Sequence, residues 1–203
     1  MAEQSPTPPV RLTDPRALRA YAHPTRMALV GLLRRDGPLT ATQAARLTGE
    51  SVASCSFHLR QLAKYGLVEE AGGGHGREKP WRATSMFTTW DADPADPAAS
   101  AATEALQLAI AERYFELTAR WVQEQSQESA EWRQAVHFGD SLLHLTAAEL
   151  KELGDRMQEL MQPYLERLDD ADKRPAGSRP VTLLHLAFPG RITEHDGRAE
   201  ADA

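Results

Sequence analysis

At 203 residues the chain is long enough for one large or two small domains with real cores, and its single cysteine excludes an internal disulfide framework. No run of eighteen apolar residues occurs, so no membrane helix is expected. The net charge of −6 hides a division: residues 1–90 carry 12 Lys+Arg and 7 Asp+Glu, whereas residues 91–203 carry 11 and 22. A basic first half suits a polyanionic partner, and an acidic remainder would be held away from phosphates.

Residues 1–10, MAEQSPTPPV, read as disordered, and they lack the basic-then-apolar pattern of a secretory leader. The expected compartment is therefore the cytoplasm. Thr13 or Asp14 before Pro15 marks a helix start, and His23-Pro24 marks another. The second helix should supply Met27, Leu29, Val30, Leu32 and Leu33 to a core and stop at Asp36-Gly37-Pro38.

Thr40 and Gln43 form a capping-box pattern that opens a short helix, which Gly49 should end. Ser51 can cap the next helix, expected to run to Tyr65 before Gly66. At 100° per residue, Cys55, Leu59 and Leu62 share one face of it. Ala53, Ser54, Phe57, Arg60, Gln61 and Lys64 lie opposite, with Ser56 at the flank. Small polar and basic side chains on an exposed helix face suit base edges and phosphates. Leu67–Ala71 and Arg77–Thr84 then read as a hairpin around the glycine-rich GGGHG. Helix, turn, helix and hairpin in that order describe a winged helix-turn-helix spanning residues 11–90, an architecture that presents one helix to the DNA major groove.

The residues assigned to base readout are Ser54, Ser56, Phe57, Arg60 and Gln61. Thr42, Gln43 and Lys64 are assigned to the phosphate backbone, and the wing residues His75, Arg77 and Lys79 to an adjacent minor groove or phosphate. His58 falls between core and DNA, as a packing or a phosphate-orienting residue. Cys55, on the apolar face, reads as a small buried thiol.

Two strings carry a resemblance: HPTRMALVGLL (His23–Leu33) and SCSFHLRQLAKYGLVEE (Ser54–Glu70). They resemble the ArsR-like winged-helix repressors, in which a helix bearing "PTR" precedes S-x-H-L-x-x-L-x-x-x-G-L-V. Ser56, His58, Leu59, Leu62, Gly66, Leu67 and Val68 fill that pattern here. The resemblance implies a dimeric regulator, usually a repressor, on a partly palindromic operator. It is nearest to actinobacterial members with an extended C-terminal region. Metal-sensing members carry a cysteine motif on the first motif helix, and ATQAARLTG has no cysteine, histidine or acid.

DADPADPAAS breaks the pattern, giving a linker over residues 91–99 and a C-terminal dimerisation and effector region over 100–190, with 191–203 as a disordered tail. Ala98 to about Gln127 reads as a long helix with two apolar stripes. Leu106, Ile110, Tyr114, Leu117 and Trp121 form one, and Leu108, Phe115 and Val122 the other, nearly opposite. Such a helix needs two partners: its own winged-helix core and the same helix of a second subunit, or the two domains of a single chain, one against each stripe. The expected dimer residues are Leu106, Leu108, Ile110, Phe115, Trp121 and Val122.

Beyond it, Val136–Leu145 and Val181–Phe188 read as strands flanking a helix that Thr146 and Glu149 cap. Pro163 should kink or break that helix. The fold class is therefore mostly α with small β: a winged helix-turn-helix, a long dimerisation helix and a small strand-helix-strand unit.

His137, Asp140, His144 and His185 all fall in that unit. His144 and His185 sit on different strands, whereas alternation puts His137 opposite His144. Scattered histidines are more often structural or exposed than ligands, so no metal and no cofactor is expected. Trp121, Trp132, Phe138, Tyr164 and Phe188 supply aromatic surface, which is core first and pocket second. Two alternatives stand beside the DNA-binding reading. One is a regulator sensing an apolar small molecule or a metal through the C-terminal region, and the other a winged-helix protein-interaction module. No enzyme is expected, since Asp140, Ser141 and His144 are too close on one strand for a triad and GGGHG lacks the lysine of a phosphate loop.

Overall fold

The structure, a computed structural model, describes residues 9–73 and 79–190. The expected tail at 191–203, most of the expected N-terminal arm, and the wing-tip residues His75 and Arg77 lie outside the described residues.

Local chemistry sets most of the N-terminal boundaries. The Asp14 carboxylate accepts from the Arg16 amide at 2.8 Å and caps α1 (Pro15–Tyr21), with Pro15 in the first turn where its missing N–H is harmless. α2 (Pro24–Asp36) starts after His23 and stops at Gly37, whose φ of 80° lies in the left-handed region. After β2 (Leu39–Thr40) comes α3 (Ala41–Thr48), opened by a complete capping box: the Gln43 amide donates to Thr40 Oγ1, and the Thr40 amide donates to Gln43 Oε1 at 2.8 Å. Gly49 closes α3 with φ 75°, a conformation that costs a residue with a Cβ. Ser51 Oγ accepts from the Ser54 amide at 3.0 Å and opens α4 (Val52–Lys64).

β3 (Val68–Glu70) and β4 (Pro80–Ala83) form the hairpin, and β2 joins its other side to give the antiparallel order β2-β4-β3. Leu39 faces Trp81, and Val68 faces Ala83. A second, two-stranded sheet was not foreseen. β5 (Thr88–Trp90) runs parallel to β1 (Val10–Leu12), with Val10 opposite Thr88. Val10 therefore leaves the expected disordered arm. Its three-residue strand is too short to show a period of two, and its partner is remote in sequence. Arg34 fixes that return, donating to the Ser85 carbonyl at 2.9 Å and to Thr88 Oγ1 at 2.7 Å.

The core gathers Leu29, Val30 and Leu33 of α2, Cys55, Leu59 and Leu62 of α4, then Leu67 and Val68. Leu32, expected in it, is only half-buried. Leu59 has no exposed surface. Leu59→Ala should cost about 2–5 kcal/mol, the transfer term plus an unfilled cavity. Urea denaturation measures this, and a loss under about 1 kcal/mol would show a site able to collapse.

α5 (Pro97–Glu124) begins at the Asp96 cap, where the carboxylate accepts from the Ala99 amide at 2.8 Å. Its first turns bury Ala99, Ala102, Thr103 and Leu106. The connecting segment is thus shorter than the expected 91–99, and the start of α5 is part of the winged-helix core. A 3₁₀ turn (Gln125–Gln127) and the unanticipated α6 (Ala130–Ala135), capped by Ser129, follow.

α7 (Ala147–Asp169) has the second capping box foreseen at Thr146 and Glu149. It is not broken at Pro163. The proline removes one backbone donor, and on an exposed helix water can satisfy the freed carbonyl. A short 3₁₀ turn (Ala171–Lys173) is the last regular element among the described residues. The two expected strands of this unit do not form: 136–145 and 181–188 have no strand assignment and are exposed apart from Leu184. Their β-propensity describes a fit to a pleated, half-buried surface, and neither has a ladder partner among the described residues.

Candidate nucleic-acid interface

α4 has two sharply different faces. Cys55, Leu59 and Leu62 are sealed in the core at 0% exposure, whereas Phe57 on the other side is 51% exposed. Arg60 and Lys64 share that outer side and are exposed, and Ser54, Ser56 and Gln61 are half-buried along it. Phe57 thus stands half open to water on the side of α4 that Arg60 and Lys64 share. Cys55 Sγ lies 3.6 Å from Thr48 Oγ1, which makes the thiol a packing and weak hydrogen-bonding group between α3 and α4.

The α3 residues divide. Thr42 is exposed. Gln43 is exposed too, but its Oε1 serves the capping box, leaving its amide nitrogen as the group available for a phosphate. On the hairpin, Lys79 is exposed and pairs with Glu70 at 2.8 Å, while Arg82 bridges to Glu69 at 2.7 Å. Such exposed pairs contribute little to stability and yield readily to a phosphate.

His58 belongs to a cluster that the sequence reading missed. Its ring lies 4.6 Å from that of His23, centroid to centroid, and meets Phe57 edge-on at 5.3 Å. The Nδ1 atoms of both histidines and Arg26 Nε are buried without a hydrogen-bond partner among the described residues. Close by, Thr25 Oγ1 donates to Glu50 Oε1 at 3.1 Å, tying the start of α2 to the turn between α3 and α4. Of the two roles open to His58, packing fits this geometry. The HPTR string revealed a helix start, but nothing local in it predicted a ring contact across 35 positions of chain.

This cluster should make the stability of the domain depend on pH. Burial first, then Arg26, lowers the His23 pKa from 6.5, with Glu50 opposing. Burial, His23 and Arg26 lower that of His58, again against Glu50. The unfolded chain therefore takes up protons first as pH falls. The contribution of these two histidines should be fully present above about pH 6.5 and be lost as pH falls towards their depressed folded values. Urea midpoints at pH 7.5 and 5.5 should differ less in a His23→Gln/His58→Gln double variant than in wild type. An unchanged difference would place the pH sensitivity elsewhere.

The residues expected at a dimer contact also separate. Leu106 is wholly buried in its own chain's core, which removes it from any interface. Ile110 packs partly against that core, and Trp121 is half-buried. Leu108, Phe115 and Val122 stay exposed, Phe115 most of all at 74%. They recur every seven residues, so the free stripe runs along one side of α5.

His137, Asp140, His144 and His185 are exposed, and among the described residues no group of three metal-ligating side chains comes together. The aromatic residues do not share one environment either. Phe138, Tyr164 and Phe188 are exposed, while Trp132 lies under the Arg179 guanidinium at 4.4 Å.

A two-helix motif with a sharp glycine turn, backed by a three-stranded sheet and leaving the polar face of its second helix open, is a winged helix-turn-helix. A family model for a helix-turn-helix domain matches residues 21–71, from the end of α1 to the hairpin. No curated protein matches the chain. The domain marks a DNA-binding regulator, and no described helix is long and apolar enough to cross a membrane.

Proposed function

We propose that this chain is a homodimeric transcriptional repressor of the ArsR-like type, acting in the cytoplasm on a partly palindromic operator in double-stranded DNA. The observation that carries the reading is α4: one face sealed at 0% exposure, the other presenting Phe57, Arg60 and Lys64 to solvent.

Each residue has a task suited to its chemistry. Arg60 pairs bidentately with guanine O6 and N7, Gln61 with adenine, and Phe57 packs on a thymine methyl group. Ser54 and Ser56 are small enough to let the helix seat deeply and hydrogen-bond to either kind of base pair. Thr42, the Gln43 amide nitrogen and Lys64 hold backbone phosphates, and the wing reaches the flanking groove through His75, Arg77 and Lys79. His58 supports Phe57 from behind. The free stripe of α5 pairs with its counterpart in a second copy, and two-fold symmetry then sets two half-sites about 34–36 Å apart. An effector, if the regulator has one, would act through the C-terminal region, where an apolar ligand is better supported than a metal.

Salt dependence tests the electrostatic part. Fluorescence anisotropy on a selected operator should show affinity falling linearly with salt on logarithmic axes. Lys79→Ala should weaken all sequences alike and reduce the slope by about one. Salt-independent binding, or none, would favour a protein-interaction module.

A further inference from the structure

The charges around His58 do not balance. Arg26, in the first turn of α2, is half-buried and makes no hydrogen bond or ion pair among the described residues. The nearby acid does not serve it: Glu50 accepts a hydrogen bond from Thr25 and forms no ion pair with Arg26. Burial, opposed by Tyr65, pushes the Arg26 guanidinium below its ordinary pKa. A cation stripped of part of its water has gained no anion in exchange. His23 is equally uncommitted, for it stands at the N-cap of α2 and its side chain makes no cap hydrogen bond.

These side chains stand beside the outer face of α4. Phe57 meets the His58 ring edge-on at 5.3 Å, and His58 lies 4.6 Å from His23. Arg26 follows His23 by three residues, and its charge acts on both rings. The major groove is about 12 Å wide and about 8.5 Å deep, so groups one or two ring widths from the centre of a seated helix reach its walls. With Phe57 against a base edge, His58, His23 and Arg26 stand at that distance, where the phosphates are.

The chemistry selects the occupant. His23, His58 and Glu50 do not converge as a set of metal ligands, and a guanidinium beside the rings disfavours a cation. A fixed guanidinium next to two imidazoles suits an anion, to which a charged donor bonds more strongly than a neutral one.

We infer that Arg26, flanked by His23 and His58, is a further contact for a DNA backbone phosphate at the wall of the groove that α4 enters. The contact rests on the DNA-binding reading above and deepens it, because it couples DNA affinity to pH. The groups facing the two rings are Arg26 on α2, Glu50 in the turn before α4, and, for His58, His23; Tyr65, after α4, faces Arg26. In the free protein burial and Arg26 favour the neutral rings. A bound phosphate offsets the Arg26 charge and adds a negative one, so both imidazoles hold protons more tightly in the complex. The complex therefore carries more protons than the free protein, and affinity strengthens as pH falls. The gain begins at the higher values of the complex and is complete below the depressed values of the free protein. Each proton taken up contributes at most about tenfold per pH unit.

Two measurements on the full chain test this, with a short random-sequence DNA duplex as the probe, since a phosphate contact carries no sequence information. Arg26→Gln keeps the packed stem and removes the charge; it should lower the salt slope of the logarithmic affinity by about one, and Arg26→Lys should restore it. An unchanged slope in Arg26→Gln would overturn the contact. Calorimetric titration of the wild type in buffers of different ionisation enthalpy should show net proton uptake on binding at about pH 6.5, with affinity rising several-fold from about pH 7.5 to 6. His23→Gln/His58→Gln should lose most of that uptake, while the wing variant His75→Gln keeps it, with circular dichroism checking the fold at each pH. No uptake by the wild type, or uptake lost only with His75, would overturn the part given to the two rings. Salt-independent binding by the wild type, or none, would overturn the DNA-binding reading and this contact together.

Discussion

Phe115→Glu should turn the protein into a monomer and lower its affinity for a two-half-site operator by about 100- to 10,000-fold, the range gained by linking two binding modules. Phe115 lies at the middle of the free stripe of α5, with Leu108 and Val122 seven residues to either side. At 74% exposure it contributes little to its own chain's core, so a carboxylate there should leave the winged helix folded. In a two-fold contact the substitution places two carboxylates in the same apolar seam, each without a partner. Sedimentation measures the mass, and anisotropy on half-site and full-site duplexes measures the affinity. Half-site binding should be nearly unchanged while full-site binding falls. A dimer that persists would place the interface elsewhere.

Arg60→Ala should cost about 1–3 kcal/mol of operator binding and relax specificity at one base position. The reasoning is geometric. Arg60 follows Leu59, which is sealed in the core, and at 100° per residue it points well away from that face. It stands three residues after Phe57, on the same exposed side of α4. A guanidinium there reads guanine through two parallel hydrogen bonds, which lysine cannot reproduce. Competition binding against all four bases at each position separates this from a phosphate contact, which would weaken every sequence alike. An Arg60→Ala variant that binds as wild type would overturn the assignment of the recognition face.

The Arg60 prediction concerns the part of the chain where sequence and structure agree most closely, for a physical reason. The signals that set α3, α4 and α7 are local: a hydroxyl three residues before a Gln or Glu, a glycine where φ must be positive, an apolar residue each turn. Thr40 with Gln43, Gly49, Ser51, and Thr146 with Glu149 each act within one helical turn, so a linear reading finds them. The two faces of α4 follow from the same periodicity.

What was missed is non-local. The parallel pairing of Val10–Leu12 with Thr88–Trp90 joins three-residue strands from opposite ends of the domain. The His23–His58 contact brings two helices together through rings whose sequence neighbourhoods are unrelated. Leu106 and Leu108 looked alike as dimer residues because periodicity shows that a helix has two apolar sides. It does not show which side its own domain takes, and burial assigns Leu106 to the core and leaves Leu108 free. The expected strands at 136–145 and 181–188 failed for the related reason that propensity supplies no partner.

The proposed function stands or falls on whether α4 reads a DNA sequence. Affinity selection of random genomic fragments by the purified full chain, repeated at 50 and 300 mM salt, tests it most directly. A partly palindromic consensus should emerge whose half-sites lie one helical turn apart, bound far more weakly at the higher salt. Fragments without a shared sequence, recovered weakly and only at low salt, would contradict it.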